Sequence, residues 1–138
     1  MPMPTGLNRI ELQTHTDAAL LRLSDIEKFG DGSGYRCNLT VKSKSFACEL
    51  PFYFDDSHLR DGVDALSKMK EGSPGEAVIK GQWEDSVIRF ALDHLGHLVV
   101  SGELFEHAEL SQSLRFAFAT DQTVLGPLVR DLTALLGR

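Results

Sequence analysis

Two neighbouring runs of this chain alternate apolar and polar residues without a break: "YRCNLTV" (residues 35–41) and "SFACELPFYF" (residues 45–54). Tyr35, Cys37, Leu39 and Val41 take every second position of the first, and Phe46, Cys48, Leu50, Phe52 and Phe54 of the second. Successive side chains of an extended strand point to opposite faces, so a period of two describes strands with one wet and one buried face. A turn at Ser43 and Lys44 would set Val41 opposite Phe46 and Leu39 opposite Cys48, with every apolar residue on one face. Cys37 and Cys48 then lie diagonally across that face. They read as small buried hydrophobes, not as a disulfide or a nucleophile.

The following segment, "DDSHLRDGVDALSKMKEG", changes period. Leu59, Val63, Leu66 and Met69 make one stripe of a helix. Ser57 is the expected N-cap, with Asp55 and Asp56 at the positive end of the helix dipole. Lys68 and Lys70 fall in the last turn and Gly72 at the position just past the end. Before the alternating pair, "NRIELQTH" reads as a short strand and "ALLRLSDIE" as a second, followed by the breaker "FGDGSG". The later half repeats the plan. "AVIKGQW" (Ala77, Ile79 and Trp83 on one face), "SVIRFALD", "HLVVSGELF" and "SLRFAFAT" are four strands, and "DQTVLGPLVRDLTALLGR" is a closing helix with Pro127 in its first turn.

The expected class is therefore α+β, a mostly antiparallel sheet of seven to eight strands with two helices, ordered as four strands then a helix, twice. A length of 138 residues makes one domain, with residues 1–18 a loosely attached segment. Residues 19–71 and 76–137 are the candidate repeats. A displacement of 66 residues lays Cys48 on Leu114, Leu50 on Phe116, Phe52 on Phe118, and Leu59, Val63 and Leu66 on Leu125, Val129 and Leu132.

The stretch "DHLGH" (residues 93–97) raises two readings, a metal site and a turn. A three-residue loop of His94, Leu95 and Gly96 pairs Leu92 with Leu98, Phe90 with Val100 and Ile88 with Gly102, so that apolar residues meet. Type I turns favour Asp first and Gly fourth, which are Asp93 and Gly96. Zinc would need further ligands. His107 is the nearest histidine, and a strand from His97 to His107 spans about 33 Å. The turn is the preferred reading, with a carboxylate–imidazole contact between Asp93 and His97 pinning it. No metal, no cofactor and no catalytic residue is expected. "GDGSG" lacks the spacing of a phosphate loop, and "SGEL" is not a nucleophile elbow.

Charge narrows the partners. The chain carries 14 Lys and Arg against 20 Asp and Glu, net −6. The acid is concentrated between Glu84 and Glu109, where Glu84, Asp85, Asp93, Glu103, Glu106 and Glu109 face a single base, Arg89. That balance argues against binding nucleic acid, which needs clustered Lys and Arg. It suits docking to a basic protein. No run is long enough to span a bilayer, and "MPMPTGLNRIELQ" has no apolar leader region, so no membrane partner and a cytoplasmic location are expected.

Taken together, "GYRCNLTVKSKSFACELPFYF", the amphipathic helix, "GQWEDSVIRFALDHLGHLVVSGEL", the Phe-rich strand and the last helix resemble the WapI-family immunity proteins of bacterial polymorphic toxin systems and their relatives. The most specific part is "GHLVVSGEL" after "IRFALD", and the resemblance covers roughly residues 20–137. It implies a non-catalytic protein that neutralises a cognate toxin domain, often a nuclease, without a cofactor. It carries over no contact residues. On charge alone, Glu84, Asp85, Asp93, His97, Glu103, Glu106 and Glu109 are the expected docking set.

Two rival readings remain. A ligand-binding or enzymatic domain would place a pocket between sheet and helices, lined by Tyr35, Trp83 and Phe105. A structural subunit would expose a strand edge or an apolar patch and pair with a second copy as a homodimer. Val99 and Phe105, on the face opposite Leu98 and Val100, point to partial cover of both faces.

Overall fold

The computed structural model describes residues 8–12, 14, 19–81, 86–107 and 109–137. Among them, eight strands and two helices follow one another as four strands and a helix, twice. The first half is β1 (Ile10–Leu12), β2 (Ala19–Lys28), β3 (Gly34–Ser43), β4 (Phe46–Asp55) and α1 (Asp56–Lys70). The second is β5 (Gly75–Lys80), β6 (Val87–Leu92), β7 (His97–Glu106), β8 (Gln112–Asp121), a 3-10 turn (Gln122–Val124) and α2 (Leu125–Leu136). The α+β class read from the sequence is the one observed, and the described strand pairs are antiparallel. The strands divide into two sheets of four, in the orders β1-β2-β3-β4 and β5-β6-β7-β8.

The helices are exchanged between the sheets. α1 follows β4 but packs chiefly on β5, the edge of the second sheet, while α2 packs on β1, the edge of the first, and on α1. The stripe Leu59, Val63, Leu66 and Met69 is buried, as are Leu125, Leu128, Val129, Leu132 and Leu135 of α2. These side chains join the inward residues of both sheets in one apolar cluster. Each aliphatic side chain so buried stabilises the fold by about 1.5–3 kcal/mol before entropy is charged against it.

Local chemistry sets the boundaries. The helix cap is Asp55, not Ser57: its backbone is extended and its Oδ1 accepts the His58 N–H at 2.7 Å. A carboxylate both accepts that bond and faces the positive helix end, so the helix starts earlier than the serine would have it. At the far end Gly72 takes φ +102°, letting its N–H reach Met69 O (3.0 Å) and the Ser73 N–H reach Lys68 O (3.2 Å). Asp121 repeats the device, its Oδ1 accepting the Thr123 N–H at 2.9 Å. A displacement of 66 residues in fact carries β4 onto β8 end for end, and α1 onto Gln122–Leu136.

The β3–β4 register differs from expectation by two residues. Val41 lies opposite Cys48, Leu39 opposite Leu50 and Ser43 opposite Phe46. The turn is Lys44 and Ser45, with Lys44 in the left-handed region at φ +55°, as a two-residue hairpin turn demands. A slip of two keeps every side chain on its face, but it carries Phe46 beyond the core, where it is 69% exposed. Cys37 and Cys48 are free, and the slip carries them further apart: Cys37 lies opposite Phe52, four residues from Cys48. Within the 1–18 segment expected to be loosely attached, Ile10 and Leu12 are buried and pair with Leu23 and Leu21. Ala77 and Ile79 of β5 are buried as expected, and Trp83 lies outside the described residues.

Gly62 marks where α1 meets β5. A Cβ there would stand 2.9 Å from Val78 O and 3.2 Å from Ile79 Cγ1, whereas one at Gly126 of α2 would meet nothing within 4 Å. Alanine is favoured over glycine by up to about 1 kcal/mol in helices. Gly126→Ala should therefore gain a few tenths of that scale, while Gly62→Ala should lose about 1–3 kcal/mol through the clash. Urea midpoints of the two variants, shifted in opposite directions, are the check.

Candidate functional site

The β6–β7 connection adopts the expected register, pairing Leu92 with Leu98, Phe90 with Val100 and Ile88 with Gly102. The Gly96 N–H donates to Asp93 O at 3.3 Å and the Asp93 N–H to His97 O at 3.0 Å, with Gly96 at φ +86°. Asp93 Oδ1 accepts from the backbone N–H of both His97 and Leu95 at 2.9 Å, and Oδ2 lies 3.3 Å from His97 Nδ1. The Gln122 N–H donates to Gly96 O at 3.1 Å, so the turn also holds the entry to α2. The His97 amide bond, joined by the Leu95 amide and the imidazole, holds the Asp93 carboxyl below the usual aspartate range. The carboxylate is spent on the turn.

A depressed folded value means that Asp93 stabilises the protein above its ordinary value of 3.8, and that this share is lost as pH falls through the folded value. Asp93→Ala should therefore lower the melting temperature at neutral pH, with the gap to wild type closing in strong acid. Thermal melts across pH read this directly.

The remaining acidic residues do not form one patch. Alternation along β7 sends His97, Val99, Ser101, Glu103 and Phe105 to the outer face of the second sheet, while Leu98, Val100 and Leu104 enter the core. The ten residues of β7 put His97 about 30 Å from Glu106. Glu103 pairs with Arg115 across the β7–β8 register at 3.1 Å, and Arg89 pairs with Glu76 at 2.9 Å. The outer face is thus a mixed-charge surface, with an open depression of about 580 Å³ between Arg89, Glu103 and Arg115. Val99 is exposed on it, uncovered by either helix. Glu84 and Asp85 lie outside the described residues.

A second open cleft, of about 320 Å³, lies where the two sheets meet. Its apolar lining is Leu50 of β4, Leu104 of β7 and Leu114 of β8, with the half-buried Cys48 beside them. Glu49 and Glu106 stand on its rim, and Gln112 and Ser113 line it. Glu109 is exposed in the β7–β8 connection, three residues before Gln112. Among the described residues none of Glu49, Glu106 and Glu109 has a cationic group within ion-pair distance. Lys42 stands opposite Ala47 in the β3–β4 register. Sequence reasoning singled out Glu106 but missed Glu49, Cys48 and Leu50, which line the same cleft. No local pattern in the sequence places β4 beside β7 and β8.

The two thiols differ sharply. Burial pushes Cys37 up to about 12. Partial burial raises Cys48, and the Glu106 charge raises it further, against a lowering contribution from a Val41 backbone hydrogen bond. In the native protein a thiol reagent should therefore modify Cys48 and spare Cys37. Glu106→Gln should speed that reaction at mildly alkaline pH, since it removes the charge that opposes the thiolate. Stopped-flow labelling of the folded protein provides the rates.

Of the residues expected to line a ligand pocket, Tyr35 and Phe105 are not brought together, and Trp83 lies outside the described residues. Tyr35 is fully buried, stacked on Phe54 with centroids 5.2 Å apart, and its hydroxyl donates to Asp56 Oδ1 at 3.2 Å. Phe105 lies on the opposite side of the second sheet, stacked on His107. The enclosed core cavity is only about 20 Å³, water-sized, and lined by aliphatic and phenyl side chains. Among the described residues no three His, Cys, Asp or Glu side chains are placed to share an ion, and no helix is long and apolar enough to cross a membrane. No protein-family model matches this sequence, and a search of curated proteins finds no similar chain.

Proposed function

We propose that this chain is a non-catalytic binding protein, an immunity protein that neutralises a cognate bacterial toxin domain in the cytoplasm of the producing cell. A basic nuclease is the toxin class its charge favours. The observation that carries the reading is the cleft between the sheets, where Glu49 of β4 and Glu106 of β7 line one depression and, among the described residues, neither has a cationic group within ion-pair distance. Uncompensated carboxylates beside an apolar surface accelerate and orient encounter with a basic protein. The resemblance of residues 20–137 to immunity proteins supports the same reading. Asp93 and Glu103, whose charge is taken up within the chain, contribute less than the sequence suggested.

The reading predicts that a gene for a cytotoxic domain adjoins this one and that co-expression restores growth; absence of such a gene, or failure of soluble protein to rescue, overturns it. In binding kinetics, Glu106→Lys with Glu109→Lys should slow association about tenfold or more at low ionic strength, and less at high salt. Glu103→Lys should act more weakly, because Arg115 already offsets that carboxylate.

A further inference from the structure

We propose that the cleft between the sheets receives one aliphatic side chain of the partner, presented on a segment with Lys or Arg on both sides of it. The inference rests on the binding reading above and specifies the partner's contact chemistry. Leu50, Leu104 and Leu114 give the cleft a floor with no charge, while Glu49 and Glu106 stand on its rim. Its volume of about 320 Å³ is at the lower end of the range of about 300–1,000 Å³ for small-ligand clefts. An anchor side chain with its flanking backbone fits that space. Interfaces concentrate their energy in such anchors, with a polar rim that excludes water and fixes partner choice.

The apolar surface does not end at the lining. Phe46, 69% exposed, adjoins Ala47 of the cleft, and Leu110, 81% exposed, stands two residues before Gln112. These are two of the four large apolar side chains exposed among the described residues; Leu95 and Val99 lie towards the opposite end of β7. A second copy of this chain is the poorer occupant, because it would bring net charge −6 to an acidic rim. A cationic segment meets complementary charge instead.

The probe is the peptide acetyl-Lys-Lys-Leu-Lys-Lys-amide, added to the intact protein. It should shift the methyl resonances of Leu50, Leu104 and Leu114 and slow thiol modification of Cys48. Both effects should weaken about tenfold on raising salt from about 0.05 to 0.5 M. They should also weaken in Glu49→Lys with Glu106→Lys, and when the peptide's Leu is replaced by Ser or its Lys by Glu. Shifts confined to other surfaces, equal binding of the Glu peptide, or Cys48 protection that rises with protein concentration alone would each overturn the proposal, the last in favour of self-association. Rescue from the toxin that survives the double Glu→Lys change would also overturn this cleft while leaving the immunity reading intact. Peptide binding without toxin rescue would do the reverse.

Discussion

Everything in this structure depends on the exchange of helices between the sheets. Each half ends in a helix that packs chiefly on the other half's edge strand: α1 lies mainly on β5 and α2 on β1, and the helices touch each other. A four-stranded sheet with one bare apolar face has no stable form in water, and an amphipathic helix needs somewhere to bury its stripe. The exchange solves both problems at once and makes the halves inseparable. It also explains the glycine at position 62, where the helix backbone approaches Val78 O too closely for a side chain.

The sequence revealed periodicity well and register unevenly. Alternation identified β3, β4, β6, β7 and β8 because half-buried strands must alternate, whatever they pair with. Register was legible for β6 and β7, where Asp93 and Gly96 are chemically suited to one turn, and Asp93 satisfies two backbone amides in it. It was not legible for β3 and β4, because Lys44 in a left-handed conformation is not something composition announces. The division into two sheets was likewise hidden. It follows from helix placement, a long-range property that no local pattern encodes.

The site was less legible than the fold, for a physical reason. Acidic residues close in sequence were taken together, yet a strand sends alternate residues apart and separates its ends by about 30 Å. Glu103 faces out to meet Arg115, whereas Glu106 reaches the cleft and the Cys48 thiol of the other sheet. Net charge counted along the chain cannot tell a neutralised carboxylate from a free one. Glu49, distant in sequence and alone among apolar neighbours, gave no sign that it would join Glu106.

The correspondence of the halves has one more consequence at the cleft. Two identical subunits meeting about a dyad would offer a site whose two sides are the same, unable to tell one end of a ligand from the other. Here the two halves belong to one chain and differ where they meet: the 66-residue displacement sets Cys48 against Leu114, both of which line the cleft. The walls are unlike. A segment lying between them meets different surroundings in its two orientations, so the cleft possesses handed directionality that a symmetric pair could not supply.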